Sequence, residues 1–324
     1  MNNVPQEHPL RHYSSVAIRI VVTLGILILI FRNVEIEKVI GIIKQANVGY
    51  LMLAIVFQLL STILAGYRWC IVMHLIEFSQ PVWFYIKSYF KGSFFNQGLP
   101  TSIGGDAIRV LDVAATGQRK RDAFIGVFID RTLGLIGLLL LNLIANNLAP
   151  DLLPEGMYWL INGIVLLGLS GFTVLTLLHK LQYFRQWRLT RYVLRISDNL
   201  KKVLKDVKSI SLQMFIGVVI HLFSMINIFF VGQSVGLDYN LLTFSVIVPP
   251  VILLTLIPIS LAGWGVREGA MIGLFTLIGA DKSIVLSMSI LYGIILIIAS
   301  LPGLQVYLSG RKHHHHQPKN QNTE

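Results

Sequence analysis

The sequence is poor in charge and nearly devoid of cysteine. Asp, Glu, Lys and Arg make up 13% of its 324 residues, about half the share usual in soluble domains. Cys70 is the only cysteine, which excludes an intramolecular disulfide and a cysteine-based metal site. GxxxxGK[ST], HExxH and GxSxG are all missing, so nothing points to a nucleotide loop, a zinc protease or a serine-hydrolase elbow. Gly104-Gly105 alone does not make a phosphate loop, and no cofactor or metal is expected.

What the chain has instead is apolar surface. Hydrophobic residues form 54% of it, with a mean hydropathy of +0.67. They come in long blocks, several of which reach the roughly 20 residues needed to cross a hydrocarbon core. The net charge of +11 would suit nucleic acid, but the charges sit beside apolar spans. That placement follows the positive-inside rule, and no nucleic-acid partner is expected.

The blocks predict an all-α polytopic membrane protein with about six full transmembrane helices, near 16–32, 48–70, 123–148, 157–178, 209–232 and 283–308. No small-residue cleavage site follows the first run, which therefore reads as a retained span. Residues 35–46 form a short amphipathic segment. Tyr67-Arg68-Trp69, at the end of the second span, reads as an interfacial anchor. Residues 180–208 hold nine Lys or Arg against Asp198 and Asp206 and read as a basic cytoplasmic surface helix. The expected organisation is a cytoplasmic segment 1–15, one membrane domain 16–308 and a polar tail 309–324 carrying His313–His316. The Lys/Arg bias places both termini in the cytoplasm and the protein in the cell inner membrane.

Two further regions, about 84–117 and 241–280, are apolar yet rich in Pro, Gly and Ser. Pro249, Pro250 and Pro258 are expected to break the second. The regions also resemble each other. Pro100-Thr-Ser-Ile-Gly-Gly-Asp-Ala-Ile-Arg109 matches Pro258-Ile-Ser-Leu-Ala-Gly-Trp-Gly-Val-Arg267 in Pro, Ser, Gly and Arg. The topology makes both re-entrant, entering from opposite sides as an inverted repeat of broken helices. Such breaks free backbone groups that must face protein or a wet cavity, an architecture recurrent in transporters.

The charges inside these apolar stretches are Asp106, Arg109, Asp130, Arg131, Arg267 and Glu268, three of each sign. A charge at the bilayer centre costs at least ~2.5–3.5 kcal/mol on insertion scales, so it is paired or functional. Guanidinium offers planar, two-pronged donors to phosphate, and the expectation is that Arg109 and Arg267 meet a lipid phosphate in a shared polar chamber. Asp130 and Arg131 fit ligand binding and structural pairing equally. Asn96, Ser102, Gly104, Gly105, Ser260, Gly263 and Gly265 complete the candidate binding set.

Residues 96–109, Asp130-Arg131-Thr-Leu-Gly134 and Pro258-Ile-Ser260 through Gly263-Trp-Gly265-Val-Arg267-Glu268 together resemble the lysylphosphatidylglycerol synthase transmembrane family, flippase-like membrane proteins, over about residues 15–308. The resemblance implies movement of a lipid between leaflets, aminoacylated phosphatidylglycerol in the best-known members. Those members carry a soluble aminoacyl-transferase domain after the membrane part, and this chain reads as a stand-alone membrane unit. The expected substrate is an anionic or aminoacylated phospholipid, or a related isoprenoid-linked lipid or glycolipid. Two alternatives stand beside translocation: a membrane-embedded enzyme using Asp106, Asp130 or Glu268 as acid or base, and a membrane partner of a soluble lipid synthase.

Overall fold

A computed structural model of the protein describes residues 9–32, 34–98, 104–180, 188–257 and 259–314. Among them are twelve α-helices and no strands. In chain order these are α1 (Pro9–Arg32), α2 (Ile36–Lys44), α3 (Val48–Leu75), α4 (Val82–Gly98), α5 (Gly104–Ala114), α6 (Lys120–Leu148), α7 (Glu155–Leu177), α8 (Arg188–Val203), α9 (Val207–Ser234), α10 (Leu241–Thr255), α11 (Val266–Thr276) and α12 (Lys282–His314).

Five of the described helices, α3, α6, α7, α9 and α12, are long and apolar enough to cross a membrane. α1 covers the run expected to be the first span. Its Val21, Leu24 and Leu29 are exposed, as are Trp159, Leu160 and Leu167 on α7. In water so large an apolar exterior would drive aggregation; against lipid tails it is matched to its solvent. The chain is an all-α, multi-pass membrane protein.

Local chemistry sets the helix starts. The side chains of Asn47, Asp206 and Asn240 accept hydrogen bonds from the backbone N–H of Gly49, Ser209 and Thr243, satisfying donors that a helix N-terminus leaves orphaned. In α8, Ile196, Leu200 and Val203 recur at helical spacing and are buried in a cluster with Trp69, Val72 and Met73 of α3. The basic residues Arg191, Lys201 and Lys202 stay on its exposed side. α2 is tied to the start of α12 by Lys38 Nζ, 2.8 Å from Asp281 Oδ2. That hydrogen bond holds the Asp281 carboxyl below its ordinary value. Its small stabilising effect is present above the usual aspartate range and is lost as pH falls through the lowered value.

Small residues bring helices together. A Cβ placed on Gly137 of α6 would lie 2.5 Å from the carbonyl carbon of Gly217 on α9, so the two backbones touch. Gly137→Ala is expected to cost about 1–3 kcal/mol through overpacking, read as a lowered thermal midpoint in detergent.

The last candidate span, Lys282–Ser309, agrees with the expected 283–308, and its helix continues to His314. Two expectations are corrected. The second span does not end at Tyr67-Arg68-Trp69: α3 runs on to Leu75, and Arg68 and Trp69 are buried, not interfacial. The apolar run Cys70-Ile-Val-Met73 that follows them was the signal for this. And Pro249 and Pro250 do not break α10, which passes through both. A proline lacks the N–H that would bond the carbonyl four residues back, which here leaves Ser245 and Val246. Asn142 Nδ2, on α6, donates to both of these oxygens, at 3.2 and 2.9 Å. One side-chain amide thus replaces two missing backbone donors. Pro258 and residues 99–103 lie outside the described residues.

Candidate functional site

The buried charges form two separate networks. The first begins at Arg68 of α3, whose Nε and Nη2 donate to Asp130 Oδ1 at 3.1 and 2.8 Å, and whose Nη2 also reaches the Asp130 carbonyl at 2.8 Å. Arg109 of α5 donates from Nη2 to Asp130 Oδ2 at 2.6 Å and from Nη1 to Asp106 Oδ1 at 3.1 Å. Arg131 of α6 closes the series, donating from Nε to Asp106 Oδ2 at 2.7 Å. The order is Arg68, Asp130, Arg109, Asp106, Arg131, with the sign alternating at every step.

Burial is graded along this series. Arg68, Asp130 and Arg109 are sealed, whereas the Arg131 side chain is 42% exposed. Arg131 follows Lys120, the first residue of α6, by eleven positions, about 16 Å along the axis at 1.5 Å per residue. α6 is one of the five helices long and apolar enough to cross a membrane, so Arg131 lies well inside a candidate span.

The surroundings are cut to hold guanidinium groups. Arg109 lies over the Trp69 ring at 4.1 Å and the Tyr89 ring at 4.5 Å, geometry in which ring quadrupoles attract a cation. Gly134 leaves room for Arg68: a Cβ there would fall 3.0 Å from Arg68 Nη2. The Gly134 carbonyl is held by His221 Nε2 at 2.9 Å. Gly105 packs backbone to backbone against Gly92 of α4, and the Gly105 N–H donates to Asn96 Oδ1 at 2.7 Å. Asn96 and Gly105 therefore fix the start of α5, whose first residue is Gly104 and which carries Asp106 and Arg109. Ser102 lies outside the described residues.

The second network is smaller. Arg267 of α11 donates from Nε and Nη2 to Glu268 Oε1 at 3.0 and 2.6 Å. Ser289 Oγ of α12 lies 3.2 Å from the same oxygen. Glu268 Oε2 accepts the Gly265 N–H at 2.6 Å, capping its own helix. Arg267 lies over Trp264 at 4.6 Å and Tyr292 at 5.6 Å. Gly263 and Gly265 have φ of +82° and +83°, where an L side chain is strained. These two glycines and the buried Ser260 belong to the turn between α10 and α11.

The two arginines expected to share a chamber do not converge. Among the described residues no ion pair or hydrogen bond joins their networks. α12 packs against both α4 and α11, and the two meet it at different heights. Gly303 abuts the Phe90 backbone of α4, while Gly293 abuts Arg267. Ten residues separate these glycines, about 15 Å along the helix. The ten-residue match does not extend to the rest of the networks: at the 158-residue offset that pairs Arg109 with Arg267, Asp130-Arg131 falls on Met288-Ser289, Asp106 on Trp264 and Glu268 on Val110. Arg131 and Ser289 each touch a carboxylate, Asp106 and Glu268 respectively.

Counting charges by sequence gave three of each sign. Arg68, read as an anchor, makes the count uneven. Trp69 is read in the sequence only as part of that anchor, and Tyr89, Ser289 and Tyr292 stand out in no motif, because aromatic and hydroxyl side chains in a membrane helix carry no mark of what they touch.

The motif-bearing stretches are thus the ones that build both networks, and the family model for the lysylphosphatidylglycerol synthase TM region matches residues 16–303. The chain belongs to this family. Membership links this multi-pass membrane protein to lipid handling. No curated protein matches it.

Proposed function

We propose that this family member is a lipid translocase, moving an anionic or aminoacylated phospholipid, or a related lipid, between leaflets of the cell inner membrane. The head group would meet the first network at mid-membrane while its chains stay in lipid. In this reading the α4–α5 and α10–α11 hairpins are re-entrant halves of an inverted repeat, and both termini are cytoplasmic. The match between residues 100–109 and 258–267 and the separate heights of the two hairpins on α12 support it.

The observation that carries the proposal is Arg131. A part-exposed guanidinium eleven residues into a candidate span is costly facing hydrocarbon; facing a phosphate it gains charge-assisted hydrogen bonds. The enzyme reading has less support. The carboxylates of Asp106, Asp130 and Glu268 are each ion-paired with arginine, which leaves none free as a base.

Purified protein in vesicles, assayed with a leaflet-specific head-group reagent, should accelerate exchange of anionic phospholipid. Arg131→Gln should slow it by about 10–100-fold, the loss of one charge-assisted contact of about 1.5–3 kcal/mol. Equal rates with and without protein, across anionic and aminoacylated lipids, would count against translocation.

A further inference from the structure

We propose that this protein binds a neutral long-chain alcohol in an apolar cavity between α7 and the α10–α11 hairpin, the hydroxyl donating to Asn142. None of the arginines or carboxylates of the two networks lines this cavity, and the site does not depend on the translocation reading.

The cavity holds about 640 Å³, within the roughly 300–1,000 Å³ usual for small-molecule sites. α7 and α10 each pack on α6, and α11 packs on α10, so α6 is the floor and the other three are walls. Leu160 and Ile164 of α7, Leu254 of α10 and Leu277 of α11 line it and are exposed. In a membrane protein that exposure is toward lipid tails, so the occupant arrives from hydrocarbon. Gly273 of α11 keeps the space open: it lines the cavity, and a Cβ built on it would meet nothing within 4 Å.

Asn142 is the one polar side chain on the wall, and it is fully buried. Its Nδ2 is spent on the Ser245 and Val246 carbonyls, which fixes the way round the amide sits. Oδ1 is then an acceptor, and among the described residues nothing donates to it. A buried acceptor left unpaired is costly. A plain hydrocarbon chain would fill the walls and leave Oδ1 as it is; a hydroxyl is the smallest group that pairs it.

The same wall sets the charge of the occupant. No charged side chain lines the cavity. Asn142 stands six positions inside the end of α6 at Leu148, about 9 Å along the axis. A phosphate brought there without a counter-charge costs far more than a hydroxyl that finds an acceptor. An aliphatic chain ending in a neutral hydroxyl fits, and this separates the site from the phosphate-bearing lipid proposed for the first network.

The test uses the full chain in phosphatidylcholine nanodiscs, where acyl chains compete in excess. A hexadecanol carrying a photoactivatable diazirine on its chain is compared, at equal bilayer fraction, with its methyl ether, which has no donor, and with its phosphate monoester, which is charged. The alcohol should label peptides of α7 and α11 at least about fivefold more than either, the worth of one hydrogen bond. Gly273→Ala adds one methyl to open space and should leave labelling within about twofold. Gly273→Leu fills the space and should cut labelling at least about tenfold while melting no lower than wild type, leucine being the better helix former. Equal labelling by the ether or by the phosphate overturns the proposal, as does labelling confined to other helices. Undiminished labelling in folded Gly273→Leu overturns it too. If Gly273→Leu does not fold, the three probes on wild type decide alone. Absence of vesicle transport sinks the translocation reading and leaves this site standing.

Discussion

Replacing Asp130 with alanine is expected to destabilise the protein by about 3–5 kcal/mol, the usual result of stripping one partner from a buried ion pair. The size follows from its position. Asp130 takes Arg68 on one oxygen and Arg109 on the other, and all three side chains are sealed from solvent. Without it, three guanidinium groups share a single carboxylate. Asp130→Asn keeps the shape and loses only the charge, so it should fall between wild type and alanine. The decisive comparison is Arg68→Met combined with Asp130→Asn, which leaves Arg109 and Arg131 against Asp106 and restores the original excess of one positive charge. The double variant should therefore melt above Asp130→Asn alone, a coupling read directly from thermal midpoints in detergent. A double variant that melts lower than either single would mean that charge balance does not govern this site.

The second large effect is expected at Asn142. Asn142→Leu removes the side-chain donor that serves the Ser245 and Val246 carbonyls among the described residues, inside a helix that cannot supply its own N–H at Pro249 and Pro250. Leaving a buried acceptor unsatisfied costs about 1–3 kcal/mol, so two should cost about 2–6 kcal/mol. The explanation predicts its own suppressor. Pro249→Ala with Pro250→Ala returns two backbone N–H groups to those carbonyls and should recover most of the loss in an Asn142→Leu background. If the prolines are removed and no stability returns, the amide is holding α6 to α10 by packing and not by repairing the backbone.

These two sites also mark where reading the sequence succeeded and where it stopped. Spans, the amphipathic α2 and the basic α8 were legible because burial and topology leave periodic marks on composition. Asp106 with Arg109 was legible because three residues on a helix share a face. Arg68 was not, because its partner lies 62 positions away on another helix, and an arginine beside two aromatics looks the same at an interface as in a core. Pro249-Pro250 misled for a related reason. Proline reports a missing donor locally, while the donor that makes the helix whole sits at Asn142, 103 positions before the Ser245 carbonyl it serves. The second hairpin is legible as a relative of the first only through its ten-residue motif. Its helix begins at Val266, four residues later than the match to Gly104 implies, because Ala262, Gly263 and Gly265 all take left-handed backbone angles.

Both hairpins lean on one long rod. Gly303 of α12 meets one and Gly293 meets the other, and Pro302 stands beside the first of these contacts. If lipid crosses by way of these hairpins, a shift of this shared helix is felt by both of them, so neither can rearrange in isolation from its counterpart.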